Sequence, residues 1–297
     1  MTDTKHDTPT TTAPGATPGQ LPAFEAPHDW AAIDHAVRTT GGAIVKDLLS
    51  DQALATFNNE IDTYLAGHAS EGVPDSGSDS YDQFLGHNTI RLHGLLNKIP
   101  SGAELVGHAE IVAWAERLLA DAAGSVLLNA GELIQIQPGE PAQAPHRDSD
   151  SWPGLPLTDS PVVVNAIVAL DDCTLDNGAT HVVPGSWEWA RERRPSESEW
   201  TRAVIDAGDA LVFRGDVIHR GGANRSDERR RVVSLSYCAG WLRPVENSFL
   251  NIPRETAAAA SPDIQALLGY AAHDGSSMSA GLVGLYENGD PARALAR

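Results

Sequence analysis

The stretch QAPHRDSDSW, residues 143–152, sets His146 and Asp148 two positions apart, directly after a Pro/Gly-rich turn. On an extended segment side chains alternate with period two, so an imidazole and a carboxylate at i and i+2 share one face and can reach one ion. Two imidazoles and one carboxylate on one face of ferrous iron leave three positions open for a cosubstrate and oxygen. The pair is then part of a metal site, and the chain has to bring back a second histidine from a distant strand. His219, in GDALVFRGDVIHRGG, ends a β-type run just before two glycines and is the candidate third ligand. Alone, an H-x-D triplet occurs by chance, and a lone histidine is more often a hydrogen-bonded core or surface residue. The order of the pieces favours the metal reading: a strand, a turn and the ligand pair in IQPGEPAQAPHRD, then the second histidine several strands later.

A 2-oxoglutarate cosubstrate makes a further demand. Its distal carboxylate needs a partner inside the protein, and arginine supplies two parallel hydrogen bonds. Arg230 stands eleven residues after His219, flanked by Arg229 and Arg231 at the head of a β-type run. Alternation turns Arg230 and Arg231 to opposite faces, so the register decides which points inward. The competing reading of the triplet is a basic turn on an acidic surface.

Such residues need short strands to hold them. After Gly124 the character of the chain changes: SVLLNAGELIQIQPGE, PVVVNAIVALDD, THVVPGS, TRAVIDAGDALVFRGDVIHRGG and RRVVSLSYCAGWL are β-type runs parted by Gly, Pro, Asp and Asn turns. This spacing predicts an antiparallel sandwich or barrel. DAGD at 206–209 reads as a hairpin turn. Upstream, residues 49–67 carry Leu54, Phe57, Ile61 and Leu65 at near-helical spacing, with Ser50 or Asp51 as cap. Residues 102–124 read as one further helix through Leu105, Val112, Leu118 and Leu119, ending near Gly124. Residues 68–80 are a Gly/Ser/Asp-rich loop.

With no internal repeat and no linker after residue 20, the expectation is one domain over 21–297. It has a helical part at 21–124, a β core at about 125–243 and a mixed helix and loop part at 244–297. Residues 1–20, rich in Thr, Pro and Gly, read as a disordered tail without the apolar segment of a signal peptide. The 297 residues, 41% hydrophobic, suffice for one large core. No apolar run approaches the roughly 20 residues that span a bilayer. A net charge of −19, from 40 acidic and 21 basic residues, repels phosphate backbones and argues against nucleic acid as a partner. Cys173 and Cys238 lie far apart and form no metal-type pair, which suits the reducing cytoplasm. The expected partner is a small molecule, with monomer and homodimer both open.

Taken together, QPGEPAQAPHRD, LDNGATHVVPGSW, HRGGANRSDERR and GWLRPVEN resemble the phytanoyl-CoA dioxygenase-like enzymes, which use Fe(II), 2-oxoglutarate and O2. The similarity covers roughly residues 85–255, and LLGY and YENGDP nearer the C-terminus are in keeping with it. It implies a mainly β fold with flanking helices, a double-stranded β-helix or cupin-like jelly roll. It also implies His146, Asp148 and His219 as metal ligands. Arg230 would bind the far carboxylate of 2-oxoglutarate, because the spacing H-x4-N-x5-R from His219 through Asn224 suits the family. Gln143 and Thr180 would hydrogen-bond the cosubstrate, and Arg91 in NTIRLHGL would contact cosubstrate or substrate. Trp152, six beyond His146, would wall the substrate pocket. Asn165, a polar residue inside the apolar run VVVNAIVAL, would face it, since a buried amide needs a partner. Where relatives often have a glycine, this chain continues RVVSL, which leaves Arg230 against Arg231 open.

The resemblance further implies oxidative decarboxylation to succinate and CO2, coupled to attack on an unactivated C–H bond. Halogenating relatives replace the carboxylate ligand by a small residue; Asp148 is retained, so hydroxylation is the first expectation. Desaturation, ring closure and demethylation begin from the same chemistry. Two other readings remain: a cupin-like Zn or Mn enzyme that needs neither Arg230 nor Gln143, and a non-catalytic ligand-binding barrel. The loops that would choose a substrate, around 68–90, 149–160 and 186–200, carry no legible code.

Overall fold

The structure, a computed structural model, describes residues 20–68, 71–155, 159–273 and 283–295. The expected N-terminal tail, apart from Gln20, lies outside the described residues. The strands are β1 (Ala23–Phe24), β2 (Gly42–Val45), β3 (Thr89–Leu92), β4 (Val126–Ile136), β5 (Val163–Ala169), β6 (Thr180–Val182), β7 (Thr201–Ala203), β8 (Ala210–Arg214), β9 (His219–Arg220) and β10 (Arg230–Ala239). Among the described residues they form a seven-stranded sheet, in the order β1-β2-β8-β5-β10-β4-β3, and a three-stranded sheet, β7-β6-β9. Neighbours run antiparallel except β1 and β2. The larger sheet has helices on its outer face and, with the smaller sheet, encloses a second core, which is the jelly roll with flanking helices that the sequence predicts.

Period-two alternation sorts each central strand. On β10, Val233, Leu235 and Tyr237 face outward into the larger core, whereas Val232 faces the inner one with Ile167, Leu211 and Phe213. The outer core is closed by α1 (Trp30–Thr40), α2 (Asp51–Gly67), α4 (Leu95–Lys98), α5 (Gly102–Val106) and α6 (Ala109–Leu119), whereas α3 (Asp79–Leu85) lies at the cavity described below. Ile111, Trp114, Leu118 and Leu119 of α6 are fully buried, and each such side chain contributes about 1.5–3 kcal/mol by leaving water. The C-terminal part adds α7 (Ser248–Asn251), α8 (Arg254–Ala259), α9 (Pro262–Leu267) and α10 (Ala292–Leu295). No helix of the described residues is long and apolar enough to cross a membrane.

Several local expectations are revised. The helix at 49–67 is α2, capped by the Ser50 hydroxyl on the Ala53 N–H rather than by Asp51. The single helix over 102–124 is two, α5 and α6. The chain leaves the helix at Gly107, where a Cβ would lie 2.2 Å from Ile264 Cδ1 of α9, and His108 adopts a non-helical ψ of 115°. DAGD does turn, with Gly208 at φ +95°, but it carries the chain from the smaller sheet to the larger and closes no hairpin. The N-terminal part is not purely helical: β2 and β3 extend the larger sheet beside β8 and β4. Runs of four residues are too short for periodicity to separate strand from loop.

Candidate active site

His219 opens β9, and its backbone exchanges both hydrogen bonds with His146: His146 N–H donates to His219 C=O at 3.1 Å and the reverse bond is 2.9 Å. The HRD segment therefore extends the smaller sheet for one bridge and then leaves it, because Asp148 begins a 3-10 turn, Asp148–Ser151. The pair is thus not on one regular strand, as the sequence predicts. Arg147 between them is nevertheless extended, at φ −122° and ψ 136°, so the i, i+2 projection survives. Arg147 points the opposite way, donating to Asp216 C=O and Ser186 C=O.

The three side chains meet. One ligand atom from each of His146, Asp148 and His219 lies within 4.8 Å of the others. His146 Nε2 is 3.6 Å from Asp148 Oδ1, and His219 Nε2 is 3.7 Å from Asp148 Oδ2. Both rings turn Nδ1 to a backbone carbonyl, that of Ala144 for His146 and Val217 for His219, each at 3.0 Å. Donation there fixes the tautomer and leaves the Nε2 lone pairs aimed at the common point. Burial, with His219 beside it, pushes the His146 imidazole down to about 4, so it is neutral near pH 7 as a metal ligand must be. Phe84 and Phe213 set ring edges against His146 and His219, each at 4.8 Å between centroids. The donor set, its spacing and its carbonyl-held tautomers fit a 2-His-1-carboxylate iron site.

The cluster opens on a cavity of about 410 Å³ between the two sheets. Arg230 lies deep in its wall, 2% exposed. Its Nη2 donates to Gly178 C=O at 2.6 Å, while its Nε–H is buried with no partner among the described residues. A buried cation with an unmet donor is costly, and a ligand carboxylate would meet it. Arg231 faces the other side, where it bonds Gln135 and reaches Asn58 and Asp62 of α2. Thr180 lines the cavity from β6. Gln143 lines it too, but its amide is engaged: Nε2 donates to Phe84 C=O and Oε1 accepts from Gly221 N–H. Arg91 lines the cavity and is paired with Glu132 at 2.7 Å.

Two expectations shift. Trp152 is not part of the cavity wall; it packs beside Val163, Cys238 and Leu242, and its indole N–H donates to Arg243 C=O. The 3-10 turn after Asp148 rotates it away. Asn165 does face the cavity, but its amide donates to Asp148 Oδ2 at 2.7 Å, so it orients a carboxylate of the cluster. Sequence reasoning passed over Glu132 and His93, which share the cavity. Glu132 was findable, being the one charged residue in the strand run AGELIQI and on the same inward parity as Ile134, whereas Gln135 has the opposite parity. It also passed over the knot behind the His146, Asp148 and His219 cluster, in which Arg214 forks onto Asp216 and the Ser186 hydroxyl accepts from Ile218 N–H.

A family model described as phytanoyl-CoA dioxygenase (PhyH) matches residues 37–232. The chain is 31% identical over 261 residues to "Dioxygenase olcK" of Penicillium canescens, covering 85% of each protein. It is 28% identical over 259 residues to "Iron/alpha-ketoglutarate-dependent dioxygenase penM" of Penicillium thymicola, covering 84% of this chain and 81% of that one. Among solved structures it resembles the epimerase SnoN in complex with Fe3+, alpha ketoglutarate and nogalamycin RO, with a TM-score of 0.56 and 22% identity over 74% of this chain and 88% of that one.

Proposed function

Because the chain belongs to the phytanoyl-CoA dioxygenase (PhyH) family and is an iron- and 2-oxoglutarate-dependent oxygenase, we propose that it hydroxylates an unactivated C–H bond of a small molecule. The observation that carries this reading is the convergence, on one cavity, of His146, Asp148 and His219 with an Arg230 whose buried Nε–H lacks a partner among the described residues.

In this reading His146 and His219 present Nε2, and Asp148 a carboxylate oxygen, to iron. Bound iron, with 2-oxoglutarate and O2, supplies an oxidant able to remove a hydrogen atom, releasing succinate and CO2. The protein's own groups do the placing. Arg230 pairs with the distal carboxylate of 2-oxoglutarate from deep in the wall, and Thr180 and Gln143 flank that cosubstrate. Asn165 keeps Asp148 from rotating by holding Oδ2. Phe84 and Phe213 keep water from the imidazole edges. A retained carboxylate ligand leaves no place for a halide, which supports hydroxylation over halogenation.

The test is succinate release that needs iron, 2-oxoglutarate and O2 together. His146→Ala and Asp148→Ala should each abolish it while circular dichroism stays native. Undiminished release in both variants sinks the ligand assignment, and metal-dependent turnover with Zn or Mn without 2-oxoglutarate sinks the oxygenase role in favour of a cupin-like enzyme. Iron and cosubstrate binding with no succinate under any condition would instead favour the non-catalytic barrel. A second outcome, suggested by the epimerase among the structural neighbours, is hydrogen abstraction without oxygen transfer; 18O from labelled O2 in the product marks hydroxylation, and its absence from a turned-over product marks the alternative.

A further inference from the structure

This inference rests on the oxygenase reading and concerns what else the cavity admits. Beyond Arg230 and the triad, Arg91, Glu132 and His93 line the wall, and a chain of ion pairs continues from them to Glu246 outside the lining. Arg91 Nη1 is 2.7 Å from Glu132 Oε1, His93 Nε2 is 3.3 Å from Glu132 Oε2, and His93 Nδ1 is 3.7 Å from Glu246 Oε2. Glu246 is further fixed by the backbone N–H groups of Gly94 and Gly131 and by the Asn251 amide. Burial pulls the His93 imidazole down, but Glu246 and Glu132 outweigh it and the net shift is upward, toward the charged ring. A guanidinium and an imidazole thus face two carboxylates.

The other acidic groups of the cavity are also occupied. Asp150 is held by Arg191, and Glu140 accepts from the Asn88 N–H and the Thr89 hydroxyl. Among the described lining residues there is no lysine. Apart from Arg147, whose guanidinium donates to the Asp216 and Ser186 carbonyls, what is left to meet a substrate is apolar or neutral. Ile134, Ile167 and Val232 line the cavity, and the Ser234 hydroxyl stands beside Glu132, its cross-strand partner.

We propose that this charge-compensated wall, with Glu132 as its specificity-determining residue, selects an uncharged, largely apolar substrate carrying a hydroxyl or carbonyl. An anion could be paired here only by taking Arg91 or His93 from Glu132, a carboxylate only 15% exposed that would then lose one of its two partners. A cation would have to displace the same groups from the other side. Coenzyme A thioesters, as polyanions, and zwitterionic amino acids are therefore turned away, and a net charge of −19 repels the former before contact.

The test uses the full chain loaded with iron and 2-oxoglutarate under argon, and two dyes of nearly the same shape. N-phenyl-1-naphthylamine is neutral, and 8-anilinonaphthalene-1-sulfonate carries one negative charge. The fluorescence counted is the part removed by Ala130→Phe, which fills the cavity floor. The neutral dye is expected to bind about tenfold tighter or more. Glu132→Gln, which takes the carboxylate from Arg91 and leaves His93 with Glu246 alone, should shrink or reverse that preference, and His93→Gln should widen it. Equal or tighter binding of the sulfonate by the native chain overturns the proposal, as does a preference that neither variant moves, or a cavity that takes up neither dye. The charge-transfer absorption of the iron–2-oxoglutarate complex, read in the same samples, reports separately on the cosubstrate reading; the dye ratio reads the wall whether or not that band forms.

Discussion

Arg230 and Arg231 are adjacent in the chain and lie on opposite faces of one strand. The first enters the cavity with a donor unmet, and the second crosses the outer core to α2 with its donors filled by Gln135, Asn58 and Asp62. Their substitution should therefore separate binding from stability. Arg230→Ala removes a buried cation that pairs with no carboxylate among the described residues, so the melting temperature should hold or rise. The half-saturating 2-oxoglutarate concentration should climb, because a charge-assisted pair is worth roughly 1.5–3 kcal/mol, a factor of about 10–150. Arg231→Ala should leave that concentration alone and cost about 1–3 kcal/mol of stability by orphaning the buried Gln135 oxygen. Denaturant titrations beside 2-oxoglutarate kinetics decide it; the reverse pattern means that the inward residue is Arg231.

At the level of elements, the site depends on two segments that meet for a single bridge, His146 against His219. One bridge is a weak clamp, and the knot behind it reinforces it. Arg147, between the proposed ligands, donates to Asp216 C=O and Ser186 C=O, and Asp216 in turn binds Arg214 in a fork at 2.9 and 2.8 Å. Asp216→Ala removes the carboxylate that forks onto the buried Arg214 guanidinium and should cost roughly 3–5 kcal/mol. It should also weaken Co(II) binding, whereas a substitution of equal cost far from the site would not; unchanged Co(II) affinity in the folded variant would show that the knot does not hold the ligands. The smaller sheet carries its own titration. Burial, then Arg220, pushes His181 on β6 down to about 4 from the ordinary 6.5. Between those values the unfolded chain binds more protons than the folded one, so this contribution is complete above about 6.5 and is lost as the pH falls toward 4. His181→Asn should flatten the dependence of melting temperature on pH across that window, and an unchanged slope rejects the assignment.

The whole molecule carries a charge of −19, so self-repulsion opposes the compact state at low ionic strength. Raising salt toward about 0.15 M, where the Debye length falls to about 8 Å, should raise the melting temperature. A fall instead would mean that the surface ion pairs outweigh the repulsion. At this scale the limits of the linear chain are plain. The sequence by itself determined the local quantities: the β runs after Gly124, helix α2, the H-x-D pair with its distant histidine, and the arginine cluster. These are legible because alternation, capping and ligand chemistry act between near neighbours. Only the tertiary structure decided which of two adjacent arginines turns inward, that Trp152 leaves the cavity, that Asn165 serves Asp148, and that Glu132 and His93 share a wall with Arg91. Each of those depends on strand register and on where a turn aims the next side chain. A shift of one residue reverses every facing, and the contacts that fix the register come from segments far away in the chain.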